Sequence, residues 1–236
     1  MSFNDPVVVI GHRGAAGLAA ENTLPSFRRA YACGVNAVEL DVYVVEGELV
    51  VIHDDTLERT TNGTGAMLGV GLATLRRLDA GDGAQVPLLG EVVDELPKSV
   101  GLNVELKGPG TAAPVAEFLA RHESLDVVVS SFDHDQLRAF RKLAPEARVA
   151  PLFSRWRAGM WRTATELEAW SIHLSRRVVT AGRLQEARRR GLKVFVYTVN
   201  ELAEAQRLVA LGATGVFTDY PDRITPDALA CIIHER

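Results

Sequence analysis

Residues 102–131 read LNVELKGPGTAAPVAEFLARHESLDVVVSS. Leu102-Asn103-Val104-Glu105-Leu106 is a short apolar run, residues 112–122 carry a helical pattern, and Val127-Val128-Val129-Ser130-Ser131 is a second short run. Two short strands joined by a helix pair in parallel. The same unit recurs outward in both directions. Runs at 7–11, 37–43, 102–106, 127–131, 148–152, 171–174, 194–199 and 215–219 are the eight strand candidates, with helices predicted at 133–143, 180–190 and 201–210. Eight such strands alternating with helices close an α/β (β/α)8 TIM barrel. Residues 153–170, with Trp156, Trp161 and Trp170, show the weakest pattern.

The first half departs from the rhythm. Asn22 or Thr23 caps a helix predicted to run to about Cys33, where Gly34 ends it. Glu46-Gly47-Glu48 reads as a turn between two β-rich runs, 37–45 and 49–53. With the hairpin centred on Gly47, His53 falls opposite Asp41, provided the register does not slip. Residues 54–86 are polar, rich in Thr and Gly, with one short helical pattern from Leu72 to Leu78. That is too long for a plain connection. Pro87 then opens a helix over Leu88 to Leu96. The expectation is a single barrel domain over 1–236 with a small insertion after strand 2, at about 44–86.

Composition narrows the class. A net charge of −4 argues against nucleic acid as a partner. The basic run Arg188-Arg189-Arg190 reads as the solvated C-terminal end of a helix. The first residues lack the basic and apolar regions of a signal peptide, and no apolar run approaches the ~20 residues of a membrane span. Cys33 and Cys231 stand in no metal or redox spacing. A soluble, cytoplasmic protein is expected.

Enzymatic groups in a barrel gather at the C-terminal ends of its strands. His12 follows strand one, Glu39 and Asp41 are expected to end strand two, and Glu105 and Lys107 to end strand three. Glu39 and Asp41 are two apart, so both leave one face of a strand. Together with Glu105 they make an oxygen site for a hard divalent ion. Arg13 can fork onto phosphate oxygens and Lys107 adds a point charge. His12 and His53 titrate near neutrality, as proton transfer requires. Taken singly, a Glu-x-Asp pair is an ordinary solvated face, Glu105 with Lys107 an ordinary ion pair, and a strand-end histidine a structural residue. Only their conjunction points to phosphate-ester cleavage. His122, His134, His173 and His234 read as structural or surface residues.

These residues resemble the glycerophosphodiester phosphodiesterase family. The likeness is carried by His12-Arg13-Gly14 with Glu21-Asn22-Thr23, by Glu39-Leu40-Asp41-Val42, and by His53-Asp54-Asp55-Thr56-Leu57 leading into Arg59-Thr60-Thr61-Asn62-Gly63-Thr64-Gly65. Asn103-Val104-Glu105-Leu106-Lys107, Ser130-Ser131-Phe132, Tyr197-Thr198-Val199-Asn200 and Thr218-Asp219-Tyr220-Pro221 follow in the family's order. The resemblance implies a phosphoric diester hydrolase that splits small-molecule glycerophosphodiesters into sn-glycerol 3-phosphate and an alcohol. It implies His12 and His53 as the acid–base pair, and Glu39, Asp41 and Glu105 as ligands of one divalent cation, Mg²⁺ or Ca²⁺, with Mn²⁺ as a further candidate. Arg13 and Lys107 would be phosphate contacts. Attack by the substrate's own 2-hydroxyl would pass through a cyclic 1,2-phosphate, and direct attack by water would use the same residues. Tyr197 stands where the family usually has Trp, and the segment after Asp79-Ala80-Gly81 is short. Two other readings stay open at this point. One is a phospholipase D-like barrel acting on lysophospholipids, with the three tryptophans as an apolar rim. The other is a non-catalytic binding barrel.

Overall fold

The computed structural model describes residues 2–231. His234 lies outside them. Eight parallel strands form the barrel: β1 (Val8–Gly11), β2 (Ala37–Val45), β4 (Gly101–Leu106), β5 (Val127–Ser131), β6 (Val149–Phe153), β7 (Ser171–Ser175), β8 (Lys193–Tyr197) and β9 (Gly215–Thr218). The pairing of β1 with β2 closes the ring. Helices α1 (Leu24–Ala32), α3 (Leu89–Glu95), α4 (Ala112–Ala120), α5 (His134–Leu143), α6 (Met160–Glu166), α7 (Ala181–Arg189) and α8 (Leu202–Ala210) separate the strands, and α9 (Pro226–Ala230) follows the last one. This is a TIM barrel. Helix α6 occupies the stretch whose pattern was weakest, because its seven residues bury only Met160 and Ala164. Too short an apolar stripe leaves too little periodicity to read.

Alternation along the strands separates two cores. On β2, Val38, Leu40 and Val42 pack outward against the helices. Ala37 points inward with Val8, Ile10, Val128, Ala150, Phe195 and Phe217, and Phe3 plugs that end of the barrel. Further along the same inner face stand Glu39 and Asp41, and on β4 Asn103 and Glu105. The barrel is thus apolar at one end and ionisable at the other.

The hairpin exists, with β3 (Glu48–Val51) antiparallel to β2 and outside the ring of eight, but its register differs from the expectation. Val42 faces Val51 and Val45 faces Glu48, which places Ile52 rather than His53 opposite Asp41. The cause is a two-residue turn: Glu46 and Gly47 both have positive φ, 51° and 87°, the geometry that matches strand twist in tight hairpins. His53 instead lies at a bend just beyond β3. A second correction concerns β2, which runs to Val45, so Glu39 and Asp41 are mid-strand. The overhang carries the insertion. Tyr43, Val45, Val50 and Ile52 pack with Leu57, Met67, Leu75 and Val86 as a small core of its own. Within it α2 (Leu72–Leu75) is shorter than the predicted Leu72–Leu78. Its exit is tied to its entry, since Val51 N–H donates to Pro87 O at 2.9 Å.

Candidate active site

The turn after β1 is built by close packing on α1. Arg13 and Gly14 have φ of 50° and 85°. Ser26 Oγ accepts from Ala15 N–H and donates to Arg13 O, holding the turn onto the helix. Arg13 N–H donates to Glu39 Oε2 at 2.9 Å. His12 emerges beside the end of β9, its Nδ1 2.7 Å from Asp219 Oδ1. Asp219 is held in turn by Asn200, whose Nδ2 donates to Oδ2 at 2.8 Å. Burial works against the Asp219 carboxylate, but the hydrogen bond and charge of His12 outweigh it and hold its pKa below the ordinary value.

The second histidine has the same design. His53 Nδ1 lies 2.5 Å from Asp54 Oδ1, and Nε2 lies 3.1 Å from Lys107 Nζ. Arg59 grips Asp54 through Nε and Nη2 and reaches Glu21 through Nη1 and Nη2 at 2.7 and 2.8 Å. Glu21 also accepts from Arg13 Nη1 at 2.7 Å. Hydrogen bonds from Arg59 hold Asp54 well below the usual carboxylate range. Burial raises Glu21, yet Arg59 and Arg13 bring it down to about 2. Burial pushes the His53 pKa down.

Between the histidines lie three buried carboxylates. One oxygen from each of Glu39, Asp41 and Glu105 falls within 4.8 Å of the others. Asp41 Oδ2 accepts from Asn22 Nδ2 at 2.9 Å and lies 3.4 Å from Arg13 Nε. Lys107 Nζ lies 3.1 Å from Glu105 Oε1 and 3.8 Å from Asp41 Oδ1. Neither of those two oxygens carries a hydrogen bond. Burial, and then the charge of Asp41, push Glu39 well up and Glu105 up to about 7. Asp41 Oδ1 without a hydrogen bond, and Glu105 Oε1 with only the Lys107 ammonium beside it, fit a group of carboxylates that could hold a cation. With oxygen donors alone, the set suits a hard divalent ion.

These groups open onto one cavity of about 180 Å³, whose opposite wall includes Phe132, Leu152, His173 and Tyr197. All seven residues singled out in the sequence converge here. His12, Arg13, Glu39, His53 and Glu105 line the cavity directly, while Asp41 and Lys107 stand behind them in contact with the cluster. Among the other histidines, His122 bonds Phe118 O and His134 bonds Leu152 O. His173 lies in the cavity wall rather than in plain structure, with burial lowering its pKa to about 3. The tryptophans form no apolar rim: Trp170 packs on Phe3 at the far end of the barrel, and Trp156 packs on Trp161. Sequence reasoning missed Asp54, Asp219, Glu21 and Arg59 as partners. Asp54 was signalled only by adjacency to His53, and Asp219 by its place at a strand end.

Comparison with known proteins finds matches over most of the chain. Residues 12–223 match the model of the glycerophosphoryl diester phosphodiesterase family. A glycerophosphodiester phosphodiesterase of Caldanaerobacter subterraneus is 32% identical, over 92% of this chain and 96% of that protein. One from Bacillus subtilis is 31% identical, over 92% of this chain and 85% of that protein. A solved phosphodiesterase of Oleispira antarctica, in complex with the product sn-glycerol-3-phosphate, superposes with a TM-score of 0.88 at 31% identity, covering 96% of each chain.

Proposed function

The chain belongs to the glycerophosphoryl diester phosphodiesterase family and is a phosphoric diester hydrolase, and from that premise we propose how its residues divide the work. The substrate is a glycerophosphodiester, and the products are sn-glycerol 3-phosphate and an alcohol. The observation that supports this most is a pair of histidine–aspartate dyads, His12–Asp219 and His53–Asp54, on one cavity beside three buried carboxylates.

An ammonium 3.1 Å from His53 Nε2 leaves the lone pair on Nε2 and the proton on Nδ1, facing Asp54. That tautomer is a base. With Lys107 turned from His53 to the phosphate, Nε2 takes the proton of the substrate's 2-hydroxyl, and the freed oxygen attacks phosphorus. Asp219 fixes His12 at Nδ1, so His12 Nε2 is the atom that protonates the leaving alcohol. A cyclic 1,2-phosphate results, and water opens it with the two histidines in exchanged roles. An internal nucleophile avoids much of the entropy of recruiting water. Lys107 and Arg13 orient the phosphate, Arg13 exchanging part of its bond to Glu21 for it. Glu39, Asp41 and Glu105 would hold a divalent cation, Mg²⁺ or Ca²⁺ with Mn²⁺ as an alternative, which would supply Lewis-acid stabilisation of developing charge.

No helix among the described residues is long and apolar enough to cross a membrane. Cys33 and Cys231 are unpaired, which supports a reducing, cytoplasmic setting.

The test is release of glycerol 3-phosphate from glycerophosphocholine before and after EDTA, with each ion restored in turn. Activity should vanish on chelation and return with Mg²⁺, Mn²⁺ or Ca²⁺; full activity in EDTA refutes the metal role. A diester lacking the 2-hydroxyl should bind and barely turn over. Comparable turnover of that analogue refutes the cyclic route.

A further inference from the structure

The catalytic cavity, at about 180 Å³, is smaller than the ~300 Å³ at which small-molecule pockets usually begin. It encloses part of a diester, and the remainder lies outside. One wall leads somewhere specific. Phe132 and Leu152 also line a second, open groove of about 580 Å³. This groove lies over the C-terminal ends of β5 and β6, between Phe132 and the segment that joins β6 to α6.

The charge of the groove is one-sided. Arg155, Arg157 and Arg162 line it, and no carboxylate does. Arg155 and Arg157 are exposed, and among the described residues neither forms an ion pair. Arg162 is partly engaged, with Nε 3.6 Å from Glu166 Oε1. The remaining groups around the groove do not cancel the arginines. His134 bonds Leu152 O, and burial lowers its pKa. Asp133 caps α5 through its side chain, and Asp135 is paired with Arg138 at 2.6 Å. In a chain of net charge −4 this is a local reversal of sign. Trp156, in the same segment, lies under Arg183 at 4.1 Å and edge-on to Trp161 at 5.2 Å, so its ring is turned to the protein rather than to a lipid surface.

We propose that this groove is the subsite of the departing alcohol, and that it selects glycerophosphodiesters whose alcohol carries a further anion, a phosphate monoester or a carboxylate. The inference rests on the phosphodiesterase reading of the adjoining cavity. Guanidinium forks match both anions with two parallel hydrogen bonds. A fixed cationic rim also raises the local concentration of an anionic substrate and its rate of encounter.

The experiment compares kcat/KM for three diesters with the same glycerophosphate half: glycerophosphocholine, glycerophosphoglycerol, and the diester whose alcohol is glycerol phosphate. Wild type should favour the third, and the preference should shrink as salt is added. In the double variant Arg155→Ala/Arg157→Ala the ratio of the anionic to the neutral substrate should fall about tenfold, the size that two partly solvated charge pairs supply. Arg155→Glu/Arg157→Glu should invert the preference towards glycerophosphocholine, an outcome that misfolding would not produce. Equal kcat/KM for the three diesters, or a double variant that lowers all three alike, overturns the subsite. Binding to phosphatidylglycerol vesicles that the double variant loses, with no substrate preference, overturns it in favour of a membrane contact. No turnover of any diester overturns the phosphodiesterase reading itself, and this inference with it.

Discussion

At the scale of single residues, the two histidines differ in what faces their free nitrogens. His53 Nε2 meets the Lys107 ammonium, and burial lowers its pKa, so it is suited to accept a proton. His12 is braced at Nδ1 by Asp219 and is suited to donate one. His12→Ala should therefore slow the release of choline from glycerophosphocholine by about 10²–10⁴, and the single-turnover release of nitrophenol from the nitrophenyl ester of glycerol phosphate far less, because that alcohol leaves without a proton. His53→Ala should lose on both. Equal losses by both variants on both esters would deny the assignment. Much of the cluster was legible because its members are neighbours in sequence: His12 with Arg13, Glu39 with Asp41, Glu105 with Lys107. The braces were not. Asp219 sits far down the chain from His12, and only closure of β9 onto β1 brings them together. A carboxylate at a strand end carries no mark of which side chain it will meet.

At the scale of elements, the turn from β1 to α1 sets the positions of His12 and Arg13. A Cβ added at Gly14 would fall 2.5 Å from Ser26 Oγ and 2.8 Å from Phe27 N, at a φ of +85°. Backbone of α1 cannot retreat cheaply. Gly14→Ala should cost roughly 1–3 kcal/mol of stability and depress kcat as well, because Arg13 N–H would leave Glu39. Urea unfolding and steady-state kinetics on one preparation measure both; a neutral result in each would show that the turn yields. The β2–β3 hairpin illustrates how far elements can be read in advance. Its existence follows from two β-rich runs about a glycine, but its register depends on whether the turn takes two residues or three. Both turns fit Glu46-Gly47-Glu48, and the φ values alone separate them.

At the scale of the whole molecule, the barrel was readable because each of its eight strands overlaps one of the eight short runs marked in the sequence, and the α6 region was not because little of it is buried. The inner face adds a term to stability that depends on pH. Glu105 is raised from 4.5 to about 7 by burial and by Asp41. A carboxyl whose folded pKa exceeds its unfolded value stabilises the fold below the unfolded pKa, and that contribution is lost as pH rises through the folded one. The metal-free protein should thus lose a few kcal/mol, to order of magnitude, between pH 4.5 and 7 from this group. Added Ca²⁺ or Mg²⁺ should raise the melting temperature, and more at pH 7.5 than at pH 5.5, because the ion displaces those protons. Calorimetry in EDTA and in each ion is the check, and an ion-induced rise that is the same at both pH values would contradict it. The insertion has a different consequence. Val51 and Pro87 are hydrogen-bonded neighbours, so the chain leaves the barrel and returns at the same point. Lengthening such an excursion costs only about 0.6 kcal/mol per doubling, and its small core is separate from that of the barrel. It is a cartridge, with His53 and Asp54 at its root: a change of its length or outer surface leaves the frame of the barrel as it is.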